Sequence, residues 1–170
     1  MNSMLLPLAI LALALLPQSP DATLPPPNAH IALTAEGLGV QIYRCTPQNA
    51  GQPGGTFKWV FEAPEATLFD PATHQPVGTH STGPTWHWND GSEVTGKVLQ
   101  TAPAADPANI PWLLLEAHST GTAGALSNVV FVRRSNTQAG AAPSYGCDAE
   151  RNNNTIRVPY EATYTFYTTD

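Results

Sequence analysis

Apolar and polar residues alternate along most of the chain from Gly37 onward. In residues 57–62, three aromatic side chains alternate with Lys58, Val60 and Glu62, which is the period of a strand with one buried face. The longest stripe covers 156–166, where every second residue is apolar. Further strands are predicted around residues 40–45, 77–80, 86–88, 92–94, 112–118 and 129–133.

Turn-forming residues separate these strands. Asn89, Asp90 and Gly91 tolerate the backbone of a tight hairpin, and 135–155 is predicted to be a long loop. The mature chain holds no amphipathic pattern of ten residues or more, so helices are not expected. About eight or nine short strands predict an all-β fold, either an antiparallel β-sandwich or a barrel-like sandwich.

The first residues differ from the rest of the chain. An uninterrupted apolar run extends from Leu5 to Leu16, roughly 18 Å as a helix, which suits a signal peptide better than a membrane span of about 30 Å. We expect a signal peptide over 1–22, a Pro-rich segment over 23–36 and one β domain over 37–170. The mature protein is then secreted or periplasmic, without a transmembrane segment.

Composition narrows the class of protein. The length of 170 residues is typical of one domain. Only 12% of residues are charged, the net charge is -6 and Lys and Arg number seven. Nucleic acid is therefore excluded as an expected partner, and so are coiled coils, which are built largely from charged residues, Ala and Leu.

Two cysteines, Cys45 and Cys147, remain after the predicted leader. An even count in an oxidising compartment predicts one disulfide between them. Neither has a second Cys or a His at the spacing of a metal ligand, so a metal site on these two is not expected.

Several segments resemble the DUF3455 family of small secreted bacterial and fungal proteins. The matching pieces occur in the family's order and span about residues 35–168; they include GVQIYRC (39–45), PWLLLEA (111–117), APSYGC (142–147) and VPYEATYTFY (158–167). The resemblance implies an exported, single-domain β protein. It brings no agreed activity and no catalytic residues.

The densest polar and aromatic stretch, 74–93, holds the candidate ligand-binding residues. We single out His80, Trp86, Trp88 and Asp90, because the two tryptophans share one face of a predicted strand and aromatic pockets with few charges bind small molecules. The other two tryptophans, Trp59 and Trp112, lie in strongly apolar strands and are predicted to be core.

Two enzymatic alternatives remain open. His80, His87 and His118 form a candidate transition-metal site for a metal-dependent or redox enzyme, although no His-x-His spacing supports it. A carbohydrate-active hydrolase would need two acids in one cleft, and no spacing selects a pair among Glu62, Glu65, Asp90 and Glu116.

The favoured interpretation is a non-enzymatic extracellular binding or structural module. Its expected partner is a small molecule, a cell-surface polymer or a protein, and no cofactor is expected.

Overall fold

A computed structural model describes residues 22–49 and 55–170, so the predicted signal peptide lies outside the described residues except for Ala22. Eight strands occupy most of this region. They are β1 (Ala29–Pro47), β2 (Phe57–Phe69), β3 (Pro76–Ser81), β4 (Thr85–Trp88), β5 (Glu93–Ala102), β6 (Trp112–Ser119), β7 (Phe131–Ala139) and β8 (Thr155–Thr169). One short 3₁₀ turn, Ala149–Arg151, precedes β8.

Each strand pairs with the next in antiparallel fashion, and β8 returns to pair with β1. The prediction of an all-β, antiparallel fold is confirmed. Because the eight strands form a single closed sheet, the fold is a barrel and not a sandwich of two sheets. The connections after β1, β3, β5 and β7 lie at one end of the barrel, here called the upper end. Those after β2, β4 and β6 lie at the lower end.

Two segments predicted to be irregular are strands. Residues 29–36 belong to β1 and pair with the end of β8, so the strand begins before the expected domain boundary at 37. Residues 135–139 extend β7 into the predicted loop. Small and polar side chains such as Ala35, Ser135 and Thr137 are buried there, and their sequence pattern carries little of the hydrophobic alternation that marks a strand.

Side chains from every strand converge in the barrel interior. The largest that are fully buried include Trp86, Tyr164, Phe166, Leu68 and Leu115. Two glycines make room for the rings: a Cβ on Gly37 would lie 2.5 Å from Cε2 of Tyr164, and one on Gly96 would lie 2.9 Å from Cζ3 of Trp86. Alternation of small and large residues is how small barrels fill their interiors.

The two ends of the barrel differ. At the lower end, Leu126 and Val129 of the β6–β7 connection are buried in the core cluster. At the upper end, Cys45 of β1 is disulfide-bonded to Cys147 of the β7–β8 connection, with 5.4 Å between the Cα atoms, as predicted. No helix in the described parts of the chain is long and apolar enough to cross a membrane.

Candidate functional site

A cavity of about 190 Å³ lies inside the barrel toward its upper end. The β3–β4 turn, residues 82–84, belongs to its lining. Phe61, Val98, Leu113 and Leu115 form apolar walls, and the polar groups in the lining include His80, Arg134 and Tyr164. The cavity therefore combines an apolar body with a few polar groups, as small-molecule sites do.

The β3–β4 hairpin places two of the predicted ligand residues side by side. His80 and Trp86 are register partners, and their rings stack with centroids 4.5 Å apart and planes 12° apart. Nδ1–H of His80 donates a hydrogen bond to the carbonyl oxygen of Thr85 at 2.9 Å. In the neutral ring, Nε2 is then the unprotonated nitrogen and can accept a hydrogen bond.

Burial determines the charge of His80. It lowers the pKa of the imidazole from 6.5 to about 4, a shift that the hydrogen bond to Thr85 opposes and the nearby charge of Arg134 reinforces. His80 is accordingly neutral at pH 7 and adds no positive charge to the cavity.

We expect this lowered pKa to make stability depend on pH. The His80 imidazole takes up a proton more readily in the unfolded chain than in the folded one. The folded state therefore has its full stability above pH 6.5 and loses stability as the pH falls toward 4. Urea unfolding should show a loss of about 2–3 kcal/mol between pH 7 and 4.5. The His80→Gln variant should lack this loss, and a flat wild-type profile over the same range would contradict the assignment.

Two tyrosines of β8 belong to the same polar cluster, and Tyr164 lines the cavity. The hydroxyls of Tyr160 and Tyr164 are 2.9 Å apart, and the Tyr164 ring centroid is 5.0 Å from that of His80. Burial raises the pKa of both phenols, so both are protonated at neutral pH. Among the described residues, two buried donors have no hydrogen-bond partner, Nε2 of Gln41 and Nε1 of Trp86.

Arg134 is the buried cation of the site, with 9% of its surface exposed. Its Nε and Nη2 donate to the carbonyl oxygen of Pro111 at 3.1 and 2.9 Å. The guanidinium also lies beside the Tyr164 hydroxyl, where its charge opposes the rise in that pKa. No carboxylate of residues 22–49 or 55–170 lies within 4.0 Å to form an ion pair with it.

Sequence reasoning missed Arg134. The available signal was the pair Arg133-Arg134 within an apolar strand, since alternation sends one of two consecutive side chains to each face. Arg133 faces outward, with its guanidinium carbon 5.2 Å from the ring centroid of Trp112. Arg134 then faces the interior.

The other two predicted ligand residues lie away from the cavity. Trp88 is partly buried and packs edge-on against Phe166, with centroids 5.9 Å apart. Asp90 lies in the β4–β5 turn at the lower end, where it accepts hydrogen bonds from the backbone and hydroxyl of Ser92 and from the backbone of Ala125. Asp90 therefore anchors the β6–β7 connection that closes the lower end.

Ser92 links the same turn to that connection. Its buried hydroxyl donates to Asp90 at 2.6 Å and accepts from the backbone N–H of Leu126 at 3.1 Å. Ser92→Ala leaves the Leu126 N–H unsatisfied, so we expect a loss of about 1–3 kcal/mol in denaturant unfolding. Ser81→Ala, at an exposed position, is the control, and equal effects of the two changes would refute this role.

The structure does not bring the three candidate metal ligands together. His80 faces the interior, whereas His87, the next residue after the inward-facing Trp86, is exposed on the outer face near Glu93. His118 is exposed at the end of β6, near Glu116. The described residues contain no group of three or more His, Cys, Asp or Glu that could hold a metal ion. The histidine metal site was a wrong expectation, because alternation separates His80 from His87.

The acids considered for a hydrolase are also dispersed. Glu62 pairs with Arg44 at 2.7 Å and Glu65 with Arg157 at 2.8 Å, while Asp90 is held in its turn. No two of them face each other across the cavity.

The prediction of a core role for Trp59 and Trp112 is wrong, since both are only partly buried. Trp59 Nε1–H donates to the carbonyl oxygen of Tyr145 at 2.9 Å, at the upper end. Trp112 lies under Arg133 on the outer face. Their neighbours along the chain are apolar, but the closed barrel leaves these positions at its rim and outer surface.

Comparisons with known proteins bear on the family alone. Neither the curated proteins nor the solved structures contain a match. A family model matches residues 25–168, which include β1 to β7, all of β8 except Thr169, and every residue of the cavity. The chain belongs to the family described as a protein of unknown function, DUF3455.

Proposed function

We propose that this protein is a non-enzymatic binding module that holds a small, largely apolar molecule inside the barrel. The observation that carries the proposal is the cavity itself, walled by apolar and aromatic side chains. Leu126 and Val129 pack into the core at the lower end, so a ligand enters from the upper end, where the β3–β4 turn borders the cavity.

The volume limits the ligand. An apolar cavity of about 150 Å³ in another protein binds benzene, so about 190 Å³ accommodates one ring with a few additional atoms. The stack of Trp86 on His80 gives a flat wall beside this space. A single-ring compound with a short substituent therefore fits the interior.

We expect such a compound to raise the melting temperature. A ligand at 100 times its Kd adds about 2.7 kcal/mol to the free energy of unfolding, which corresponds to roughly 5–10 °C for a chain of this length. The measurement is a thermal melt with phenol, indole, phenylacetamide and phenylacetate at millimolar concentrations.

A pair of variants on one strand makes the test specific. Val98 lines the cavity, whereas its neighbour Leu99 does not, and both are about half exposed. Val98→Trp should block the cavity and abolish the shift, and Leu99→Trp should leave it unchanged. No shift with any compound, or equal shifts in the two variants, would refute binding in the cavity.

We propose further that the module acts outside the cytoplasm, as a secreted or periplasmic protein. The Cys45–Cys147 disulfide supports this, because such bonds persist in oxidising compartments. N-terminal sequencing of protein exported by a bacterial expression host should find a mature chain beginning near Thr23. An uncleaved chain would contradict the proposal.

A further inference from the structure

We infer that the ligand of the cavity is a monoanion, an apolar molecule with one carboxylate that binds the guanidinium of Arg134. The inference rests on the proposed function, since it requires that the cavity bind a small molecule.

The first support is an uncompensated buried charge. Charged side chains that leave water are paired in nearly all proteins, because an isolated buried ion is very unfavourable. Arg134 lines the cavity and has 9% of its surface exposed. Within 22–49 and 55–170, no carboxylate forms an ion pair with it.

The neighbouring groups do not neutralise this charge. Tyr160 and Tyr164 stay protonated, because burial raises the pKa of each phenol. Glu62 is the one carboxylate among the described lining residues, and it is exposed and paired with Arg44 at 2.7 Å. One positive charge therefore remains inside the barrel.

The second support is the supply of hydrogen-bond donors. The Pro111 carbonyl fixes the guanidinium through Nε and Nη2, and the remaining N–H groups are in a rigid planar fork. A carboxylate is planar and accepts several hydrogen bonds, so it matches this planar fork.

The number of charges selects a monoanion over a phosphate dianion. Arg134 supplies one positive charge, and the neutral His80 beside it supplies none. A dianion would therefore keep one negative charge uncompensated in an apolar cavity, which is strongly unfavourable. The carboxylate of a small aromatic or aliphatic acid balances the charge.

The test is isothermal titration calorimetry with matched pairs of ligands. The probes are phenylacetate, 3-phenylpropionate and hexanoate, each compared with its primary amide at pH 7. The wild-type protein should bind at least one acid about 10- to 100-fold more tightly than its amide, the range for a hydrogen bond to a charged group.

Two arginine variants locate the effect. Arg134→Gln should weaken binding of the acid by about the same factor and leave binding of the amide within about threefold. Arg133→Gln removes the same charge one residue away on the outer face, so it should change neither affinity. Because the comparison of acid with amide uses the wild-type protein, the inference stays testable if Arg134→Gln fails to fold.

Each outcome has a definite meaning. Equal affinity for acid and amide overturns the inference and leaves the proposed function standing. If the wild-type protein binds acids more tightly than amides but Arg134→Gln does not weaken acid binding, the anion binds elsewhere. This result also overturns the inference. If no acid and no amide binds at 10 mM, the proposed function and the inference both fail.

Discussion

Trp86→Ala is expected to lower the free energy of unfolding by about 3–5 kcal/mol, the range for truncating a large core aromatic residue. Only 1% of the Trp86 surface is exposed. Its ring stacks on His80 and meets Tyr164 and Phe166 edge-on, with centroids 5.8 and 6.1 Å away. Truncation removes these contacts together and enlarges the cavity. Urea or guanidinium denaturation measures the loss.

Trp59→Ala is the matched control for this change. Trp59 is partly buried at the upper end, and its one described hydrogen bond is to the Tyr145 backbone. We expect less than half the loss seen for Trp86→Ala, because less apolar surface returns to water. Equal losses in the free energy of unfolding at the two positions would contradict the placement of Trp86 in the core of the barrel.

Loss of the disulfide is expected to lower the free energy of unfolding by a similar amount. The bond joins residues 102 apart, and the loop-entropy relation for about 100 residues gives roughly 4.7 kcal/mol. Backbone hydrogen bonds hold the same junction in the folded state, from Cys45 N–H to Asn154 and from Asn153 N–H to Cys45. The folded barrel therefore needs little rearrangement without the bond. The loss of stability arises mainly because the unfolded chain gains conformational freedom.

The measurement compares the double variant Cys45→Ser, Cys147→Ser with the wild type in oxidising and reducing buffer. The reduced wild type should lose about 4–5 kcal/mol and resemble the double variant. The double variant should not respond to reductant. A loss below about 1 kcal/mol would show that the bond adds little to the stability of the fold.

The sequence allowed the strands with bulky alternating side chains to be predicted, but not the closure of the barrel. Strand β8 was found from Tyr160, Tyr164 and Phe166, which are large and inward-facing. The first half of β1 was missed because its interior positions carry Ala35 and Gly37. That half pairs with the end of β8, a contact between distant parts of the chain that no local pattern contains.

For a similar reason, only two of the four predicted ligand residues line the cavity. His80 and Trp86 lie across one short hairpin, so a local pattern could bring them together. Arg134 and Tyr164 reach the same cavity from β7 and β8, and only the closed sheet brings them there. Asp90 and Trp88 were placed in the site by nearness in sequence, but the hairpin carries them toward the lower end.

The most direct test is to follow the indole N–H signals of the tryptophans in ¹H–¹⁵N NMR spectra during titration with phenylacetate at pH 7. The Trp86→Phe variant assigns the Trp86 signal. Binding at Arg134 inside the barrel predicts that the Trp86 Nε1–H signal shifts, because the ligand lies against the Trp86 ring in the cavity lining, while the Trp59 and Trp112 signals stay in place. A shift confined to Trp59 or Trp112, with Trp86 unchanged at saturation, would contradict a ligand site inside the barrel.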